Sequence, residues 1–348
     1  MNPVDAFRGL WGRGVPVLAL APMQDVTTLP FIRLVHSFGG ADLYVTEYFR
    51  VHASSRPEKS ILRCVDENPT GRPMLAQMIG NDIEALIRTA RALAAHPVAG
   101  IDLNLGCPAP VVYRKCAGGG LLREPQRVDM ILGKLREAIP IPFTVKTRVG
   151  FADAAEFEKF LPLFAKHSLD LLTVHGRTVA DGYGGVVRYD LIAQAAASLR
   201  CPVLANGNIF SPADAARVLH QTGTKGLMLG RGAIRNPWLF RQIREHLSGR
   251  PVTLPKGREV LAYLHALDEA TSTPDVSEAC QVQALKKFSN QVGLGLPEPE
   301  AFLHGTRRAK TRAEFFAICA AHLDHEEPVA LWPKKDVADV SQPTTCEG

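Results

Sequence analysis

Apolar residues in this chain gather into short runs separated by longer amphipathic stretches, and the two kinds of segment alternate. The first run, Val17–Ala21 (VLALA), precedes a segment that Thr27 or Thr28 can cap and that carries Phe31, Leu34, Val35 and Phe38 on one helical face through Ser37. Further short runs predict strands at Leu43–Thr46, Met74–Met78, Gly100–Leu103, Phe143–Thr147, Leu171–His175, Val203–Ala205 and Gly226–Leu229. Helical periodicity fills the gaps, from Asn81 or Asp82 to Ala95 and over Pro125–Glu137, Ala154–Lys166, Tyr189–Leu199, Pro212–Gln221 and Asn236–Leu247. Two stretches stand outside this order: an irregular leader before Val17, and a polar, proline-bearing segment from His52 to Pro73 that reads as a short helix with an exposed loop.

Strands spaced at about thirty residues, each followed by a helix, are the sequence form of a parallel sheet, and eight such units predict an α/β fold of the closed (β/α)8 TIM-barrel type. The alternative, an open doubly wound sheet, lacks the G-x-G-x-x-G expected after its first strand. Past Leu247 the segment SGRPVTLPKG reads as a linker. Helical patterns at Glu259–Glu269, Ser277–Val292, Glu298–His304 and Ala313–His322 then predict a small helical domain. The expected division is a barrel over residues 1–248, a helical domain over 249–325 and a disordered tail over 326–348.

Composition narrows this picture little. With 22% charged and 46% hydrophobic residues among 348, the chain has the make-up of an ordinary soluble protein. No stretch approaches the roughly 18 apolar residues of a membrane span, and the amino terminus lacks the apolar segment of a secretion signal, so a cytoplasmic protein with no membrane association is expected. The seven cysteines form no C-x-x-C pair, which points to reduced thiols with no metal site. Charge is more informative by position than by its net value of +5. Between Gln281 and Arg312, six basic residues (Lys286, Lys287, Arg307, Arg308, Lys310 and Arg312) face two acidic ones (Glu298 and Glu300), which suggests a polyanionic partner. A monomer is the expected state.

The densest chemistry lies in Gly100–Leu122, GIDLNLGCPAPVVYRKCAGGGLL. Gly106, Pro108 and Pro110 allow neither helix nor central strand, so Cys107 must sit on a constrained turn at a strand's carboxyl end, where parallel α/β folds place their chemistry. Asn104 precedes it by three residues, and Lys115 and Gly118-Gly119-Gly120 follow, where backbone could approach a ligand. Cys116 lies in the same loop without turn chemistry and reads as structural. A barrel would gather at one mouth the residues that follow each strand: Pro22, Met23, Glu47, Gln77, Asn104, Cys107, Lys146, Arg148, His175, Arg177, Asn206, Gly207, Gly230 and Arg231. Lys146 in FTVKTR would be an inward cation in need of an anionic or polar partner. Glycines after the last two strands, with Arg231, would form a cradle for a phosphorylated cofactor.

The motifs APM, DLNLGCPAP, GGGLL, VKTR, VHGRT, ANGNI and LGRGA, in this order from about Leu18 to Leu247, resemble the tRNA-dihydrouridine synthases. The resemblance implies FMN held by Pro22, Met23, Gln77, Lys146, His175, Asn206, Gly207, Asn208, Gly230 and Arg231. It also implies Cys107 as the catalytic acid and Asn104, Arg148 and Arg177 near the uracil. The implied activity is NADPH-driven reduction of the C5=C6 bond of particular uridines in tRNA, with the helical segment gripping the RNA. The chemistry is consistent: a hydride to C6 comes from reduced flavin, and an ordinary thiol of pKa about 8.5 can give the proton to C5. A rival reading is an FMN barrel acting on a free pyrimidine, and a second is a flavin-free RNA-binding barrel. Gln24-Asp25 after APM, Gly184 and Tyr189 depart from the usual family residues, and the long segment before Pro73 resembles the subgroup acting at position 16 of tRNA.

Overall fold

The computed structural model describes residues 2–272 and 276–332. Among the described residues nine strands form one parallel sheet: β1 (Val17–Leu20), β2 (Leu43–Val45), β3 (Phe49–Arg50), β4 (Met74–Ile79), β5 (Gly100–Leu105), β6 (Phe143–Arg148), β7 (Leu171–His175), β8 (Val203–Asn206) and β9 (Gly226–Leu229). β1 pairs with both β2 and β9, and β2 pairs also with β4, so eight strands close into a ring. The two-residue β3 lies outside the ring on β4, with Phe49 opposite Met78, and was not expected from the sequence. The predicted (β/α)8 barrel is the fold.

Such strands are buried on both faces, which is why they read as short continuous apolar runs. Alternation along each strand then sorts the lumen into two levels. Val17, Ala19, Leu43, Leu75, Leu171, Leu204 and Met228 form one apolar cluster low in the barrel. Phe7 and Leu10 complete it, so the expected irregular leader is a structured plug. Its helix, Pro3–Arg8, begins where the Asn2 side chain accepts from the Val4 N–H at 2.9 Å and a proline occupies the first turn. Further along the same strands the inward positions turn polar: Gln77, Asp102, Asn104, Thr144, Lys146, His175 and Asn206.

The chain divides into two compact units, and the boundary differs from the expected one. Of the described residues, 30–40, 208–217, 231–272 and 276–332 belong to the second, helical unit. The expected helix Asn236–Leu247 starts at Leu239, after Pro237, and a separate short helix, Arg231–Arg235, precedes it. They group with the carboxyl-terminal helices for specific reasons. Arg235 donates to Gln291 O at 3.1 Å, the buried Tyr263 hydroxyl donates to Ile234 O at 2.9 Å, and Phe38, Trp238 and Tyr263 pack edge to face.

Residues 326–332, expected to open a disordered tail, are ordered instead. Val329 donates to Pro255 O, and Leu331 and Trp332 are buried, so apolar side chains hold this polar-looking stretch in place. Residues 333–348, the rest of that tail and Cys346 with it, lie outside the described residues.

Gly226 is where ring closure is tightest, because a Cβ there would lie 2.0 Å from Val17 O and 2.7 Å from Val17 N. Gly226→Ala is expected to cost about 2–4 kcal/mol by pushing β1 and β9 apart. A lowered urea midpoint would show this, whereas an unchanged midpoint would mean the seam can open without loss.

Candidate active site

Cys107 sits where β5 ends, and its loop is pinned from both sides. The Asn104 Oδ1 accepts the backbone N–H groups of Gly106 at 3.0 Å and Cys107 at 2.9 Å, and the Gly119 N–H donates to Cys107 O at 3.2 Å. The glycine run does not lie open to a ligand as expected. All three glycines are buried, and a Cβ at Gly119 would come within 2.8 Å of Cys107 O and 2.5 Å of Val179. A Cβ at Gly120 would come within 2.5 Å of Tyr113 O. Their smallness lets the loop pack against the thiol segment. Cys116, at φ +53°, stays peripheral within the same loop.

Behind the thiol lies a polar layer inside the barrel. Gln77 is wholly buried; its Nε2 donates to Asp102 Oδ2 at 2.7 Å, and its Oε1 accepts from Asn104 Nδ2 at 2.9 Å. The Thr144 hydroxyl donates to the other Asp102 oxygen. Burial pushes the Asp102 carboxyl up to about 6, against the pull of Thr144, Gln77 and the Lys146 charge. Burial likewise presses the Lys146 ammonium down to about 8, Arg148 adding to the effect and Asp102 opposing it. The Asp102 charge is thus felt at Lys146.

The residues after β6 and β7 form a braced loop. Arg148 Nη1 donates to Thr178 O at 2.7 Å and Gly182 O at 2.8 Å. Arg177 Nε and Nη2 both donate to Gly185 O, and its Nη1 lies 3.4 Å from His175 Nε2. Asp181 accepts from the Thr178 N–H and pairs with Arg188, each at 2.8 Å. The loop presents Tyr183, 66% exposed, with its ring 6.0 Å from the Arg148 guanidinium. Tyr189 donates its hydroxyl to Gly207 O at 2.8 Å and so ties this loop to the end of β8.

Around the other side, Thr27 does not cap a helix as expected. Its hydroxyl donates to Ala21 O and accepts from the Met23 N–H, fixing the turn that carries Pro22 and Met23. Glu47 accepts from the Val26 N–H at 3.0 Å and from Gln24 Nε2 at 3.4 Å, which gives the unusual Gln24 a role. Asn206 donates to Met228 O at 2.7 Å. Gly207 has φ +128°, and a Cβ there would meet His175 at 3.0 Å. Gly230 lies beside Met23, whose Sδ would be 3.6 Å from a Cβ at that position. Asn208 and Arg231 open segments of the second unit, where Arg231 Nη2 lies 3.4 Å from Asn208 Oδ1.

The sequence reading overlooked Tyr48, whose phenol burial raises above its ordinary value, with the neighbouring Cys107 sulfur contributing. It also gave no role to Asp102 or Thr144. Counting back two residues from Asn104 and from Lys146 would have placed both in the lumen.

A thiol on a rigid turn, a buried lysine and carboxylate, and glycine-ended strands at one mouth define a (β/α)8-barrel enzyme. The chain belongs to the dihydrouridine synthase family, whose model matches residues 19–273. It is 31% identical over 317 residues to the tRNA-dihydrouridine(16) synthase of Neisseria meningitidis serogroup A, covering 89% of this chain and 95% of that protein. It is 38% identical over 259 residues to the tRNA-dihydrouridine synthase B of Pseudomonas putida, covering 72% of this chain and 76% of that protein. Among solved structures, histamine dehydrogenase from Rhizobium sp. 4-9 shares the fold at a TM-score of 0.53 and 16% identity, over 75% of this chain and 51% of that one.

Burial pushes the Glu47 carboxyl from 4.5 up to about 7, with the Val26 N–H drawing it back and the Asp25 charge adding to the rise. The folded chain thus binds this proton more tightly than the unfolded one. The stability it confers is complete below about 4.5 and is lost as pH rises through about 7. Glu47→Gln, neutral throughout, should gain on the wild type by about 1–3 kcal/mol between about pH 5 and pH 8 in urea unfolding. A difference that does not change with pH would place the proton elsewhere.

Proposed function

We propose that this chain is a cytoplasmic tRNA-dihydrouridine synthase that uses FMN and NADPH, with Cys107 delivering the proton to C5 of the target uracil. The observation that carries the proposal is the fixed position of Cys107. Its N–H is held by Asn104 and its carbonyl by Gly119, at the mouth of a barrel of the dihydrouridine synthase family. A proton donor is effective when its geometry is set before the reaction.

The residues in the lumen fit FMN. Gly207 leaves bare backbone beside His175, where a side chain would intrude, and Gln77, Lys146, His175 and Asn206 line the polar level. Buried amide, ammonium and imidazole donors suit ring carbonyls and a phosphate. In this reading Pro22, Met23, Gln77, Lys146, His175, Asn206, Gly207 and Gly230 hold the flavin, and Asn208 and Arg231, which follow Gly207 and Gly230 in the chain, serve its phosphate. When bound, FMN supplies the hydride for C6. The chain supplies orientation and the proton: Asn104, Arg148 and Arg177 face the uracil, and the thiol lies to one side of it. A uridine folded into tRNA must be extruded to reach this site.

The basic segment expected to meet a polyanion lies on the helices Glu278–Gly293 and Pro299–Arg308 and the turn after them. Lys287, Arg307, Arg308 and Lys310 are exposed there. Arg312 is different, because it pairs with the buried Asp268 and so has a structural part.

The purified protein should show flavin absorption that bleaches with NADPH and recovers anaerobically when unmodified tRNA is added. Recovery with a free pyrimidine instead would favour the small-substrate barrel. Cys107→Ala is expected to keep the flavin and its reduction by NADPH while dihydrouridine formation falls at least about 100-fold. Retained activity would assign the acid to another group. Lys286→Glu combined with Arg308→Glu should weaken tRNA binding about ten-fold at low salt with flavin content unchanged, whereas concurrent flavin loss would show these residues to be structural.

A further inference from the structure

Three buried side chains connect the barrel interior to the backbone of Cys107 through hydrogen bonds whose direction is determined. An ionised carboxylate can only accept, and a backbone N–H can only donate. Asp102 therefore demands the N–H end of the Gln77 amide, which turns Gln77 Oε1 toward Asn104. Asn104 must meet that oxygen with Nδ2, which leaves Oδ1 to receive the N–H groups of Gly106 and Cys107. At the other end Thr144 donates to the second Asp102 oxygen. Amide orientation is ordinarily ambiguous. Here both ends of the chain require the same arrangement, so no member can flip alone. The register supports it: Gln77 lies opposite Asp102, and Asp102 opposite Thr144, across neighbouring strands.

We infer that Asp102 is a positioning residue for Cys107, its carboxylate anchoring the one-way chain through Gln77 and Asn104 that holds the Cys107 loop. Removing the acceptor at residue 102 leaves a buried N–H of Gln77 unmet, and the strain passes along both amides to the loop. The structural claim does not depend on the reaction. Only its catalytic consequence rests on Cys107 being the proton donor.

The test is amide hydrogen exchange of the peptide spanning residues 105–109, read by mass spectrometry on the purified full-length protein. Asp102→Leu, similar in size but unable to accept, should speed exchange of this peptide about five- to ten-fold. Asp102→Asn should stay near the wild type, since its Oδ1 can accept from Gln77 while its N–H group turns to the Thr144 hydroxyl. Gln77→Met breaks the same link with the carboxylate left in place and should match Asp102→Leu, which keeps the question answerable if the leucine variant fails to fold. Combining Asp102→Leu with Asn104→Leu should add nothing to Asn104→Leu alone. Wild-type exchange in both Asp102→Leu and Gln77→Met would overturn the inference, as would Asp102→Asn exchanging as fast as Asp102→Leu. In activity, Asp102→Leu should lower kcat on tRNA about ten-fold with KM within about two-fold. Inactivity of the wild type on tRNA would refute the proposed function while leaving the exchange comparison intact.

Discussion

The bond from Gln77 to Asp102 is the constraint on which the upper half of the barrel depends. A carboxylate enclosed by protein is tolerated only when hydrogen-bond donors or an opposite charge meet it, and the penalty for leaving one unmet exceeds that for a neutral group. Asp102 has Thr144, Gln77 and the Lys146 charge. Because these partners lie on the two flanking strands, satisfying the acid also fixes the height at which the lumen changes from apolar to polar. Below that level Phe7, Leu10 and the short apolar side chains exclude water. Above it Gln77, Asp102, Asn104, Thr144 and Asn206 each have a hydrogen-bond partner that limits where they can point.

The mouth uses charge for geometry more than for attraction. Arg148 and Arg177 are both buried and direct guanidinium N–H groups at the carbonyls of Thr178, Gly182 and Gly185. Hydrogen bonds from a buried charged donor are worth more than neutral ones, and breaking them would strand a guanidinium in a poor solvent. The exposed pairs of Lys256 and Arg258 with Glu326 have comparable distances, yet water and salt screen them and their contribution to stability is small. Equal lengths therefore do not mean equal consequences. The loop carrying Tyr183 is held by the first kind of contact, so an exposed ring stands on a backbone that has little freedom.

What could be read in advance follows from the range of the interactions involved. The eight ring strands were legible because burial on both faces leaves a local mark, a short run rich in apolar residues between turn signals. Leu171–His175 and Gly226–Leu229 match to the residue. Cys107 was legible because glycine and proline flank it. β3 was not, since two residues, Phe49 and Arg50, pair with β4 for reasons of position that their own sequence does not carry. The glycine run was misjudged because three glycines look alike whether they border a ligand or a neighbouring chain segment, and only the nearness of Val179 and Tyr113 decides between these. Asp102 carried a signal that went unused, an acidic residue two places before an inward asparagine.

The basic segment shows why a charge count and a binding surface are different quantities. Counting along the sequence treats all six cations alike, but in the fold they have unlike surroundings. Arg312 pairs with Asp268, which is only 2% exposed, so its charge balances a buried acid and adds little to the field outside. Arg307 is drawn onto Asn290 of the preceding helix, at 2.7 Å, and Arg308 Nη1 lies 3.0 Å from His304 Nδ1 within its own helix. Lys287 and Lys310 stand on exposed positions. A polyanion senses the sum of these charges at a distance, whereas contact selects those whose side chains can reach a phosphate without giving up a partner. Position along the sequence therefore does not separate the cations that stand in solvent, Lys287 and Lys310, from the arginines tied to partners within the unit.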